Sequence, residues 1–267
     1  MMISSADNPL FKEIKRLYAD ARARKKSGMF VIEGARLCED ASRSGVVILT
    51  ALATESAAEK YVSQWRTIEA AAEKAVRLSE ALSVKLADTD TPQGIFCLCR
   101  MRDHRPLELS DDGVYLALED VRDPGNLGTI IRTAEALGVN GLILSKGCCD
   151  LYSPKVIRAG MGGTFRLSFE TAEDLPARLR EIGERLATLA AVVDADAVPI
   201  TEAPKSGAVA VIGNEAGGLT AETVAACTHR VTVPMAGRAE SLNASMAAGI
   251  VLWELCRNKK AGDGDGN

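Results

Sequence analysis

A chain of 267 residues, 47% of them hydrophobic, has the length for one large or two modest domains with proper cores. No apolar run approaches the roughly 18 residues of a membrane span. The start Met1-Met2-Ile3-Ser4-Ser5-Ala6-Asp7 also lacks a basic stretch leading into an apolar one, so a soluble, cytoplasmic protein is expected. A net charge of −4 does not advertise nucleic-acid binding, though an average can hide a patch. Seven cysteines without a C-x-x-C pair, and only His104 and His229 beside them, offer no zinc constellation; the odd count favours reduced thiols over a disulfide framework.

Asn8-Pro9 predicts a capped helix start, with Leu10, Ile14, Leu17 and Tyr18 along one apolar face. The other side is basic: residues 11–30 carry seven cations (Lys12, Lys15, Arg16, Arg22, Arg24, Lys25, Lys26) against Glu13 and Asp20, the pattern of a footprint for a phosphate backbone. Such a run is as often a merely solvated face, and Tyr18 is a weak candidate for base stacking. Alternating strands and helices follow: strand 29–32, helix 34–43, strand 46–49, a helix within 55–72, strand 76–78, a helix from Ser79 and strand 94–98. The basic, proline-ended connection at Arg100, Arg102, His104, Arg105 and Pro106 sets a boundary near residue 106, giving a small α/β domain over 1–106.

The second domain, 107–260, reads as βα alternation. Strands are expected at 114–118, 141–144, 165–169, 189–193, 209–212 and 230–233, and helices at 127–137, 154–159, 175–186, 221–226 and 242–256. Near-continuous apolar strands imply a mainly parallel sheet covered on both faces, with ligands beyond the strand carboxyl ends. The tail 261–267 has nothing to pack and is expected to be disordered.

Three loops at such strand ends carry the chemistry. Glu119-Asp120-Val121-Arg122-Asp123-Pro124-Gly125-Asn126-Leu127-Gly128 leads into a helix where Asn126 reads as the N-cap and Arg132, among apolar residues, calls for a partner or ligand. Gly213-Asn214-Glu215-Ala216-Gly217-Gly218-Leu219 lets a ligand approach the backbone closely and supplies a carboxylate. In Ser241-Leu242-Asn243-Ala244-Ser245, Ser241 reads either as the cap of the closing helix or as a site residue; Asn243 and Ser245 sit in a run that looks buried. The glycine spacing is neither a dinucleotide fingerprint nor a phosphate-binding loop.

These motifs resemble the SpoU (TrmH) family of RNA ribose 2′-O-methyltransferases, of the knotted SPOUT class, through Asn126 and Arg132 after D-P-G-N-L-G, G-N-E-A-x-G-L at 213–219 and V-P-M-A-G-x-x-x-S-L-N-A-S at 233–245. The N-terminal part resembles an L30e-like substrate-binding domain through Asn8-Pro9, F-V-I-E-G at 30–34 and T-P-Q-G-I at 91–95. The resemblance implies a C-terminal trefoil knot, a homodimer, and S-adenosylmethionine (AdoMet) held at Gly213, Val233 and Leu242 with Met235 and Gly237 nearby. It implies methyl transfer to a ribose 2′-hydroxyl of RNA, most readily ribosomal RNA. On that resemblance Arg132 matches the catalytic arginine and would steady the developing alkoxide, since a guanidinium is a poor base; Glu215 would orient Arg132 or take the proton indirectly, and Asn126, Ser241 and Asn243 would position ribose or arginine. The RNA-facing set is Lys12, Arg22, Arg24, Lys25 and Lys26, and no metal is implied. Ala244 and Met246 stand where many members carry valine, and 159–163 is richer in glycine than usual. Other readings are a non-catalytic RNA-binding or ribosome-assembly protein on the same fold, a transfer-RNA or antibiotic-resistance methylase of the family, and an oxidoreductase on an open sheet, which the missing fingerprint disfavours.

Overall fold

The computed structural model describes residues 2–89 and 91–258; the tail 261–267, expected to be disordered, lies outside them. Contacts group the chain into two compact units, one of residues up to Asp103 with Asp150–Arg166, the other of His104–Cys149 with the chain from Leu167 on.

The first unit starts with β1 (Met2–Ile3) and α1 (Pro9–Ala19). Asn8 caps α1 as expected, its Oδ1 accepting from Leu10 N at 3.0 Å, and Phe11, Ile14 and Leu17 bury one face. Asp20 then caps α2 (Ala21–Ser27), which Gly28 ends in the left-handed region at φ 65°. There follow β2 (Met29–Glu33), α3 (Ala35–Arg43), β3 (Ile48–Ala53), α4 (Glu55–Lys60), α5 (Val62–Ala71), β4 (Ala75–Leu78), α6 (Glu80–Leu86) and β5 (Ile95–Arg100). The helix expected within 55–72 is two, because the backbone leaves helical geometry at Tyr61 (φ −112°, ψ 46°). Among the described residues five strands pair in the order β1-β4-β3-β5-β2, with β5 antiparallel to both neighbours. Val31, Leu52, Phe96 and Leu98 of this sheet pack with Ile14, Leu17 and Leu82 of the helices.

The two short motifs of this unit clasp each other. The Glu33 carboxylate accepts from Asp88 N at 3.0 Å and Thr89 Oγ1 at 2.5 Å, Gln93 Oε1 accepts from Ala35 N at 2.8 Å, and Gly34 N donates to Ile95 O at 2.9 Å. Gly34 (φ 103°) and Gly94 (φ 73°) adopt backbone that a side chain would strain.

In the second unit β6 (Val114–Leu118) leads into α7 (Pro124–Ala136) and β7 (Gly141–Ser145). The chain then contributes Asp150–Arg166 to the first unit, as α8 (Pro154–Gly160) and α9 (Gly163–Arg166). Tyr152 packs on Phe30 with ring centroids 4.6 Å apart, and Arg158 and Arg166 pair with Asp88 and Asp40 at 2.7 Å each. The strand expected at 165–169 is therefore the end of a helix; β8 (Phe169–Ala172) starts where that strand was to end.

Asp150 of this segment corrects one expectation. Arg24, assigned to the RNA-facing set, is only 4% exposed; its guanidinium lies 2.6 Å from Asp150 Oδ2 and donates to the carbonyl oxygens of Leu17 and Tyr18. It is a structural cation, buried beside a carboxylate that is itself half-buried, and leaving that guanidinium without its partner would be costly. Tyr18 also turns inward, packed against the core with its hydroxyl enclosed, so its ring is not offered to a base. Lys12, paired with Asp7 at 2.7 Å, and Arg22, Lys25 and Lys26 stay exposed.

The second unit continues through α10 (Leu175–Gly183), β9 (Ala187–Ala191), β10 (Val198–Pro199), β11 (Ala208–Ile212), α11 (Ala221–Ala226), β12 (His229–Thr232) and α12 (Ala244–Cys256). Among the described residues seven strands run in the order β10-β12-β9-β11-β6-β7-β8, with every ladder parallel. β6 and β11 are buried along their whole length, which is why they read as unbroken apolar runs. All the strand carboxyl ends consequently face one way, and the three polar loops issue from that edge. Among the described residues no helix is long and apolar enough to cross a membrane.

Candidate functional site

The loop after β11 is a tight buckle. Asn214 and Gly218 exchange backbone hydrogen bonds of 3.2 Å, and Asn214 Oδ1 accepts from Ala216 N at 2.9 Å and Gly217 N at 2.7 Å. A Cβ at Gly213 would overlap the Gly218 backbone, so the turn closes only with glycine there. The buckle forms one wall of a cleft of about 500 Å³. Ala191–Val193 at the end of β9 form another, and Thr232, Val233, Met235 and Glu240–Leu242 a third, with Ala244, Ala247 and Val251 of α12 behind them.

Of the residues singled out from sequence, Gly213, Glu215, Val233, Met235, Ser241 and Leu242 line this cleft. Asn126 and Asn243 are tied to it by a relay. Asn126 Nδ2 donates to Glu215 Oε1 at 2.8 Å, and Asn126 Oδ1 accepts from Asn243 Nδ2 at 3.0 Å. Asn243 Oδ1 in turn accepts from the Ser245 and Met246 amides at 2.9 and 3.3 Å. Three segments up to 117 positions apart thus share one hydrogen-bonded line of side chains. Gly237 is exposed in the same segment as Met235 but is not a cleft wall.

Several local expectations are corrected. Asp123 caps α7, accepting from Asn126 N at 2.8 Å, because Pro124 takes the first helical position; this frees the Asn126 amide for the relay. Asn243, and not Ser241, caps α12. The run after it is not buried throughout: Asn243, Met246, Ile250 and Trp253 are exposed, while Ala248, Val251, Leu252 and Leu255 face inward. Glu215 bonds to Asn126 and to the Asp123 amide, with no bond to Arg132. Arg132 is exposed and its side chain makes no hydrogen bond or ion pair among the described residues, so its apolar helix does not bury it. It precedes Thr133, whose methyl lies toward Gly249 of α12. The Val192-Val193 wall and Glu240 went unread in the sequence, since a strand end and a loop glutamate carry no distinctive signal.

Burial opposes ionisation of Glu215, but the Asn126 amide and the backbone N–H groups of its own residue, Asp123 and Arg122 outweigh it and hold the carboxyl below the ordinary glutamate range. At neutral pH it is an acceptor whose basicity is reduced, suited to orienting Asn126 and ill suited to taking a proton.

Comparison with known proteins gives the chain its relatives. Residues 113–253 match the model of the SpoU rRNA methylase family, and residues 8–97 that of an MRM3-like substrate-binding domain. The chain is 32% identical over 260 residues to a protein of Synechocystis described as an uncharacterized tRNA/rRNA methyltransferase, covering 97% of this chain and 94% of the relative. It is 31% identical over 254 residues to a 23S rRNA guanosine-2′-O-methyltransferase of Bacillus subtilis, covering 95% and 98%. The crystal structure of an AdoMet-bound rRNA methyltransferase from Sinorhizobium meliloti superposes with a TM-score of 0.85 at 30% identity, over 98% of this chain and 99% of that one.

The relay makes a direct prediction. Asn126→Ala removes the strongest donor to Glu215, so the carboxyl pKa rises toward the ordinary value, read by carbon-detected NMR titration. In the wild type the stabilisation linked to this group is present above the ordinary glutamate pKa and is lost as pH falls through the lowered one; in the variant that window narrows. An unchanged Glu215 titration would remove Asn126 from its environment.

Proposed function

Since this chain belongs to the SpoU rRNA methylase family, we propose that it transfers a methyl group from AdoMet to a ribose 2′-hydroxyl of ribosomal RNA. The observation that carries the reading is the relay from Glu215 through Asn126 to Asn243, set on the rim of a cleft walled by approachable backbone. The cleft fits the cofactor: its volume lies in the roughly 300–1,000 Å³ range of small-molecule sites. It combines the glycine backbone of residues 213–218 with the apolar Val233, Leu242 and Val251. Gly213, Val233 and Leu242 would hold AdoMet, with Met235 lining the same wall and Gly237 beside it in sequence.

AdoMet, when bound, supplies a methyl group already made electrophilic by its sulfonium. The protein's tasks are to align the ribose oxygen, worth up to about 7–11 kcal/mol in favourable cases, and to steady the charge that develops on it. Asn126, Ser241 and Asn243 position the ribose; Glu215 fixes the Asn126 amide. Arg132, uncommitted to any described partner, meets the alkoxide and the neighbouring phosphate. Its guanidinium acts as a charge and not as a base.

The same reading includes a homodimer, a C-terminal trefoil knot and residence in the cytoplasm. For the dimer, Met246, Ile250 and Trp253 recur on one side of α12 at 59%, 36% and 59% exposure, an apolar stripe that calls for cover. Arg132, on the helix packed beside α12, then serves the partner's cleft. For the knot, residues 233–242 pass the loops at 191–193 and 213–219, and α12 returns to pack on α7 and β11. RNA capture falls to the first unit, through Lys12, Arg22, Lys25 and Lys26 with Arg24 withdrawn. Its match to a substrate-binding domain and the 23S rRNA activity named for the Bacillus relative favour ribosomal RNA.

Arg132→Ala is expected to abolish methyl transfer to ribosomal RNA while AdoMet affinity stays within about threefold, because the charge is needed mainly in the transition state. A variant turning over near the wild-type rate would remove Arg132 from the chemistry. Replacing Lys25 and Lys26 by alanine weakens RNA binding and flattens its salt dependence by about 0.7 per lost phosphate contact; an unaltered slope would leave those charges merely solvated. Trp253→Glu should sediment as a monomer where the wild type sediments as a dimer.

A further inference from the structure

Glu119, the first residue after β6 on the loop that leads to α7, is only 7% exposed, and no cation is paired with it among the described residues. Its carboxylate accepts three hydrogen bonds: from Thr220 N at 2.8 Å, Thr220 Oγ1 at 2.8 Å and Thr223 Oγ1 at 2.5 Å. Its own backbone N–H donates to Ile212 O at 2.9 Å. Ile212 is the last residue before the glycine buckle and Thr220 the first after it. One residue therefore grips both ends of the segment that walls the cleft. Thr220 is also the N-cap of α11, its Oγ1 accepting from Thr223 N at 3.2 Å, so the grip passes into a helix.

Backbone that binds a ligand must be held in place, and loop ordering left to the moment of binding weakens affinity. Here the buckle's own bonds shape it internally and Glu215 ties its tip to the start of α7, while Glu119 ties its two ends to the end of β6. We infer that Glu119, with Thr220 and Thr223, is the positioning latch that preorganises the Gly213–Leu219 backbone for the cofactor. This rests on the reading of the cleft as an AdoMet site. Glu119 does not line that cleft and acts only through the loop.

The test compares Glu119→Gln, Thr223→Val and Thr223→Ser in full-length protein, with AdoMet affinity measured by calorimetry and amide exchange measured on the free protein. Gln turns an acceptor into a donor against donors: AdoMet affinity should fall about tenfold, and the Gly218 amide and its neighbours should exchange faster. Thr223→Val keeps nearly constant shape but removes the hydroxyl's bond to Glu119 and its 3.0 Å bond from Thr220 Oγ1, so affinity should fall by a smaller factor in the same direction, while Thr223→Ser returns to wild type. Wild-type affinity and exchange in both Gln and Val variants, even with a lowered melting temperature, would overturn the latch. If Glu119→Gln fails to fold, Thr223→Val decides alone by the same two readouts. A wild-type protein that does not bind AdoMet defeats the proposed function instead, and the exchange of the free protein still judges the latch.

Discussion

The site depends on one side chain with two ends. Asn126 gives its amide hydrogen to Glu215 and takes one from Asn243, so its orientation is fixed by an acceptor on one side and a donor on the other. Both ends of the amide are needed: an aspartate would repel Glu215, and a leucine would leave both neighbours without their bonds. The relay joins the first turn of α7, the loop after β11 and the cap of α12. These are neighbours because β6 and β11 are adjacent parallel strands and α12 packs on β11 and α7.

The sheet makes this convergence possible. A parallel sheet delivers every strand's carboxyl end to one edge, and loops that are distant in sequence meet there without long excursions. Each loop is then stiffened locally: Asp123 and Pro124 start α7, Asn214 organises the glycine buckle, Asn243 starts α12. The side chains of the relay are thus anchored to rigid elements at one end and to one another at the other.

Where reading from residues alone succeeded, the physics was local. Asn8 caps α1 and the bounds of α11 at 221–226 are as expected, because a cap or a short amphipathic turn is decided by a few adjacent residues. It misread positions whose fate lies with distant partners. Arg24 belongs by charge to the basic surface but is claimed by Asp150, 126 positions away. Asn126 looks like a cap, a role that Asp123 takes. The apolar run at 246–253 looks buried, yet Met246, Ile250 and Trp253 lie on the outward face of α12, since composition alone does not record which way each apolar residue of a helix points.

The amino-acid sequence by itself determined the α/β class, the mainly parallel second sheet, the three polar loops and the family resemblance. These follow from the spacing of apolar residues and from short motifs that need no distant contact. Only the tertiary structure decided that Glu215 faces Asn126 and not Arg132, that Arg24 is interior, and that Glu119 bonds to Thr220 across 101 positions. Hydrogen bonds act over a few ångströms in space, and chain separation carries no record of which donors and acceptors the folded sheet will bring within that reach.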